Sequence, residues 1–207
     1  IIMQSEILSE DQQDCLQELI NIAYGSGTAA ISEILDAFAT LSIPKINIIE
    51  TKYLKDHLEN QVHIGMPQYL ATQLINGKFS SENLFIIDEE SSKNLAHEFG
   101  LDEEELEDKN EISDVILEIT NILSSSTISK FAEEMEIEVS FSPPSVKLLN
   151  SLDEMDSNFI DKYQQVIIIS TILQFENQKI RGELLILTTD DTVEFIKELL
   201  DKILDEL

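Results

Sequence analysis

The chain has 207 residues and is 43% hydrophobic, enough to bury a core as one domain or as two small halves sharing one. Its 13 basic and 41 acidic residues give a net charge of -28, which disfavours nucleic acid and anionic membranes and reads either as suiting a partner with a cation, a metal or a basic patch or as serving solubility or a salty medium. No apolar run reaches the ~18 residues of a transmembrane helix, Ile1-Ile2-Met3-Gln4-Ser5-Glu6 lacks the basic start of a secretory signal, and the lone Cys15 gives no intrachain disulfide, so a cytoplasmic protein without membrane insertion is expected.

Ser9-Glu10-Asp11-Gln12 reads as a capping box opening a helix from about 10 to 24. Gly25-Ser26-Gly27 predicts an interruption, with a second helix from Thr28 to about Thr40. Ile43 to Thr51 is rich in β-branched residues and predicts a strand. Tyr69 to Leu74 and Asn83 to Ile87 predict two more, joined by a turn at Asn76-Gly77, and Glu89 to Phe99 a helix. Asp102 to Asn110 is densely acidic and reads as a solvated helix or linker; it lacks the alternating ligands and central glycine of a calcium loop.

The same order then repeats. Helices are expected from Glu111 to about Leu123 and from Ser125 to about Glu134, then a strand near Ile137 to Phe141. Gln165 to Phe175 and Gly182 to Leu187 suggest a hairpin turning at Glu176-Asn177-Gln178-Lys179, and Thr192 to Leu207 a closing helix. Asn76-Gly77-Lys78-Phe79 answers Asn177-Gln178-Lys179-Ile180, an internal offset close to 100 residues. The expectation is an α+β fold with pseudo-twofold symmetry and antiparallel pairing: one domain of two repeats, about 9–101 and 110–207, joined by the acidic segment 102–109.

The first helix of each half carries one polar pattern. Asp14, Glu18 and Asn21 recur as Asp114, Glu118 and Asn121, and a proline follows each asparagine after 22 intervening residues, at Pro44 and Pro144. At about 100° per residue the three polar side chains share one narrow stripe. Leu16, Leu19, Ile20, Ile22 and Ala23 should bury the opposite face, as should Ile116, Ile119, Ile122 and Leu123. In so acidic a chain, one Asp-x3-Glu would be read simply as a solvated helix face. Two copies with matched prolines are a different matter: 4 prolines in 207 residues put proline at a given position only about 2% of the time.

Asp/Ser-x3-Glu-x2-Asn-x22-Pro is the signature of the CheC, CheX and FliY phosphatases, and the chain resembles that family at all four positions of both copies, most closely in the duplicated manner of CheC. The resemblance implies a substrate, the phosphorylated aspartate of a CheY-like response regulator. It gives Asn21 and Asn121 the task of orienting the attacking water, and Glu18 and Glu118 that of pairing with the regulator's lysine. Asp14 and Asp114 would support the helix or meet the partner's rim, and Pro44 and Pro144 would shape the strand or turn behind it. No cofactor or metal is expected on this chain, since magnesium would arrive on the regulator. The alternative implied by the same family is a non-catalytic adaptor for CheD or for flagellar switch proteins. One departure is Ile22-Ala23-Tyr24-Gly25-Ser26-Gly27, where relatives tend to have small residues; Tyr24 is expected to alter how closely a partner docks.

Other chemistry finds little support. His57, His63 and His97 are too scattered for a zinc set and are assigned surface or packing roles. Cys15, with no adjacent histidine, reads as a packing residue. No P-loop, Gly-x-Gly-x2-Gly or Gly-x-Ser-x-Gly is present.

Overall fold

A computed structural model describes residues 8–35, 39–42, 45–61, 67–151, 154, 165–175, 180–188 and 190–206. In chain order these form α1 (Glu10–Leu35), β1 (Ala39–Leu41), β2 (Lys45–Glu50), a 3-10 turn into α2 (Leu54–Gln61), β3 (Gln68–Gly77), β4 (Ser81–Asp88) and α3 (Glu89–Glu98). A second 3-10 turn, Glu105–Glu107, leads to α4 (Lys109–Glu134), β5 (Val139–Phe141), β6 (Ser145–Leu149), β7 (Gln165–Phe175), β8 (Arg181–Thr188) and α5 (Asp190–Asp205).

The described strands make one antiparallel sheet in the order β1-β7-β8-β4-β3-β5, with β2 also on β7 and β6 also on β3. The pseudo-twofold axis passes through its centre, where Leu84 faces Leu185 and Phe85 faces Leu184. Each half hands its two short strands to the other: β1 and β2 pair with β7, β5 and β6 with β3. This is the duplicated α+β fold expected from the sequence. The first hairpin is longer than predicted. β3 runs on through Asn76 and Gly77, which pair with Ser140 and Val139 of β5, so the chain reverses after Gly77.

The capping box forms as predicted: the Ser9 amide donates to Gln12 Oε1 at 2.8 Å and the Gln12 amide to Ser9 Oγ at 3.2 Å. Gln12 Nε2 also donates to Asp201 at 2.6 Å, tying α1 to α5. The expected break at Gly25-Ser26-Gly27 does not occur, and α1 is one helix of 26 residues. An interior glycine costs only about 1 kcal/mol of helix propensity, and Gly27 offsets it by letting α1 touch α4. A Cβ there would lie 2.5 Å from Thr127 Oγ1. Nor does a new helix begin at Ser125, because α4 likewise runs 26 residues without a break. Ser125 Oγ donates back to the Asn121 carbonyl at 2.6 Å, and Ser124 is buried.

One face of the sheet packs against α1, α4, α3 and α5. Leu16, Ile20 and Ala23 of α1 and Ile116, Ile119 and Leu123 of α4 are fully buried there. Full burial of each large side chain contributes about 1.5–3 kcal/mol. Ile22 departs from expectation and is 40% exposed. It follows Glu18 by four residues and so shares the polar stripe's flank. The other face carries a second cluster, including Leu70, Leu84, Ile86, Leu185 and Leu187, with Leu54 of α2 against it.

The acidic segment is a linker with its own order: Asp102 Oδ1 accepts from the amides of Glu104 (2.9 Å) and Glu105 (3.0 Å), and Glu105 accepts from the Asp102 amide at 2.8 Å. Among the described residues no group of three or more His, Cys, Asp or Glu is arranged to hold a metal, and no helix is long and apolar enough to cross a membrane.

Candidate active site

α1 and α4 carry the two stripes. Asp14 and Glu18 are exposed and Asn21 is half-buried on α1; Asp114, Glu118 and Asn121 are all exposed on α4. Their opposite faces are locked into the core, so each stripe projects from a rigid element. Among the described residues no cation pairs with Glu18 or Glu118. Both carboxylates are therefore available to an incoming lysine. The helices meet where Gly27 abuts Thr127 and the Leu123 carbonyl. Each asparagine lies N-terminal to that contact by roughly 9 Å of helix rise, so the stripes fall on opposite sides of it.

The two asparagines have different surroundings. Asn121 Oδ1 accepts from Gln73 Nε2 at 3.1 Å, and the same nitrogen donates to the Ser142 carbonyl at 2.8 Å. Gln73 belongs to β3, a strand of the first half, and is 1% exposed. Its cross-strand neighbour is Asn83, fully buried, whose Nδ2 donates to Ser124 Oγ of α4. A polar layer of Gln73, Asn83 and Ser124 thus underlies Asn121. On the other side, among the described residues, Asn21 Oδ1 meets only Gln17 Nε2 of its own helix, at 3.5 Å, a distance at the limit of a hydrogen bond.

Pro144 sits in the three-residue stretch between β5 and β6. β3 pairs Ile75 with Phe141 and Thr72 with Ser145, so Ser142, Pro143 and Pro144 stand opposite only Gln73 and Leu74. This is a β-bulge, a place where a residue without an amide proton is tolerated. The Ser142 amide donates to the Leu74 carbonyl at 2.9 Å, and the Leu74 amide to Ser142 Oγ at 3.0 Å. The bulge thereby aims the Ser142 carbonyl at Gln73. Pro44 lies outside the described residues, but the same register shift recurs: Leu41 faces Leu173 and Lys45 faces Ser170.

Tyr24 does not reach a partner. It is 2% exposed, and its hydroxyl donates to the Ile169 carbonyl at 3.5 Å. Its place in α1 matches that of Ser124 in α4, so it fills in the first half the layer that is polar in the second. Cys15 packs partly buried against the core, and burial pushes its thiol up. His97 is exposed, His57 is half-buried with burial pulling it down, and His63 lies outside the described residues. Gln73 and Asn83 were not singled out from sequence. The available signal is that they are polar residues at core-facing positions of β3 and β4, among Tyr69, Ala71, Ile75, Phe85 and Ile87.

The family model for the chemotaxis phosphatase CheX matches residues 69–152, a span that holds Gln73, Asp114, Glu118, Asn121 and Pro144. FliY of Thermotoga maritima superposes with a TM-score of 0.74 at 17% identity, over 94% of this chain and 98% of its own. The FliM middle domain of Vibrio alginolyticus gives 0.61 at 16% identity, over 88% and 98%. The CheX–CheY–BeF3–magnesium complex of Borrelia burgdorferi gives 0.54 at 12% identity, over 84% and 97%. The chain shares the fold of FliY, CheX and the FliM middle domain, and its residues 69–152 match the chemotaxis phosphatase CheX family.

Proposed function

We propose that this chain is a protein phosphatase that hydrolyses the aspartyl phosphate of a CheY-like response regulator in the cytoplasm, as a single domain of two repeats. The observation that carries this reading is the pair of outward Glu/Asn stripes on buried-backed helices, each carboxylate without a competing cation among the described residues. Hydrolysis of an acyl phosphate needs a water held in line with the scissile P–O bond. A side-chain amide can hold that water by hydrogen bonding without taking its proton, the role read for Asn21 and Asn121. Glu18 and Glu118 fix the register by pairing with the regulator's lysine in a charge-assisted hydrogen bond. The regulator brings the magnesium. Asp14 and Asp114 sit one turn earlier, toward the partner's rim.

The test is loss of label from a phosphorylated CheY-type regulator in magnesium. Wild type should accelerate it, Asn21→Ala and Asn121→Ala should each leave one site working, and the double variant should fall to the regulator's own rate. A double variant as fast as wild type sinks this mechanism. The likeness in fold to the FliM middle domain favours a second reading, a non-catalytic adaptor for switch proteins or CheD. That reading stands for the regulators tested if wild type accelerates none of them.

A further inference from the structure

We propose that Gln73 is the positioning residue of the Asn121 site: from β3 of the other half it fixes the Asn121 amide so that Oδ1 faces the sheet and Nδ2 faces the docked regulator. This rests on the phosphatase reading. A free asparagine amide presents two faces by turning through 180°, one offering an oxygen and the other two N–H groups. The chain of contacts removes that choice. The Ser142 carbonyl can only accept, so Gln73 must turn its nitrogen toward it. The same nitrogen's second proton then requires an acceptor, and Asn121 must answer with Oδ1. The bulge that aims the Ser142 carbonyl therefore sets, through one buried glutamine, which atoms of Asn121 reach the substrate.

Stability alone gives little reason for a glutamine at this position. Gln73 Oε1 is buried and has no partner among the described residues. A half-satisfied buried amide is a liability beside an apolar side chain of similar size. The other half does not repeat these residues. The register equivalent of Gln73, opposite Leu184 as Gln73 is opposite Asn83, is Thr171, and Tyr24 stands where α4 has Ser124. Gln73, Asn83 and Ser124 thus have no counterpart of the same type on the Asn21 side.

The experiment compares Gln73→Leu in two single-site parents, Asn21→Ala and Asn121→Ala, by steady-state dephosphorylation of the same regulator and by thermal melting. In the Asn21→Ala parent, Gln73→Leu should lower kcat roughly ten- to hundredfold with KM within about twofold, the signature of lost orientation rather than lost docking. In the Asn121→Ala parent it should change neither constant, and the melting temperature should hold or rise in both. Equal losses in the two parents would mean general damage to the fold and overturn the proposal. So would full activity of the Gln73→Leu, Asn21→Ala protein, or an Asn21→Ala parent with no activity. Failure of the phosphatase reading looks different, because there the Asn21→Ala, Asn121→Ala protein itself keeps wild-type rates.

Discussion

Tyr24 shows how far one side chain's role depends on depth rather than on position along the helix. It lies three residues past Asn21, yet its ring belongs to the core and its hydroxyl makes a long 3.5 Å contact with the Ile169 carbonyl. Tyr24→Phe should therefore shift stability by less than about 1 kcal/mol, and Tyr24→Ala should cost about 3–5 kcal/mol, as read by urea unfolding. Burial pushes the Tyr24 phenol well above its ordinary range. The unfolded phenol ionises near pH ~10 while the folded one keeps its proton, so stability present below that pH falls as pH rises through it. Comparing wild type with Tyr24→Phe between pH 8 and 11 measures Tyr24's share of that fall. The Asp, Glu and Asn stripes were legible at this scale because a 3.6-residue period fixes which side chains share a face. Depth was less so. Ile22 and Tyr24 are both large and apolar, and only packing against the sheet decides that one is exposed and the other buried. Gln73 left a fainter mark, a polar residue at a core-facing position of its strand, and its partner lies on a helix nearly fifty residues away.

The two long helices teach a similar lesson about elements. Gly25-Ser26-Gly27 predicted a break in α1 and a new helix was expected to start at Ser125, because local propensity carries no trace of the neighbour that uses it. Gly27 is where α1 meets α4, whereas Gly25 has nothing within 4 Å of an added Cβ. The pair makes a controlled comparison. Gly25→Ala should stabilise by about 0.5–1 kcal/mol through helix propensity. Gly27→Ala gains the same propensity but drives a methyl into Thr127, whose β-branched side chain is stiff at χ1, and should be net destabilising by about 1–2 kcal/mol. Thermal or urea unfolding of both variants checks the sign. The longer strands were legible from their β-branched composition, whereas Ala39–Thr40 of β1 was read as the end of a helix and β6 was not singled out. The bulge at Ser142–Pro144 was not, since a matched proline marks a position without stating which ladder it interrupts.

For the whole molecule, the repeat offset foretold the pseudo-twofold fold, because duplicated sequence implies duplicated structure. What periodicity could not tell is which strand pairs with which, for alternation assigns faces and not neighbours. The surface, at a net charge of -28, suits a partner that approaches with a lysine and a bound cation. The exchange of short strands has one more consequence, for how the chain can be divided. A protein made only of residues 1–104 would leave β3 without β5 and β6, and its own β1 and β2 without β7. Each piece alone should be largely unfolded by circular dichroism, while the two pieces mixed should complement one another into a single cooperative unit. If either fragment melts cooperatively by itself, the halves are less interdependent than their shared sheet implies.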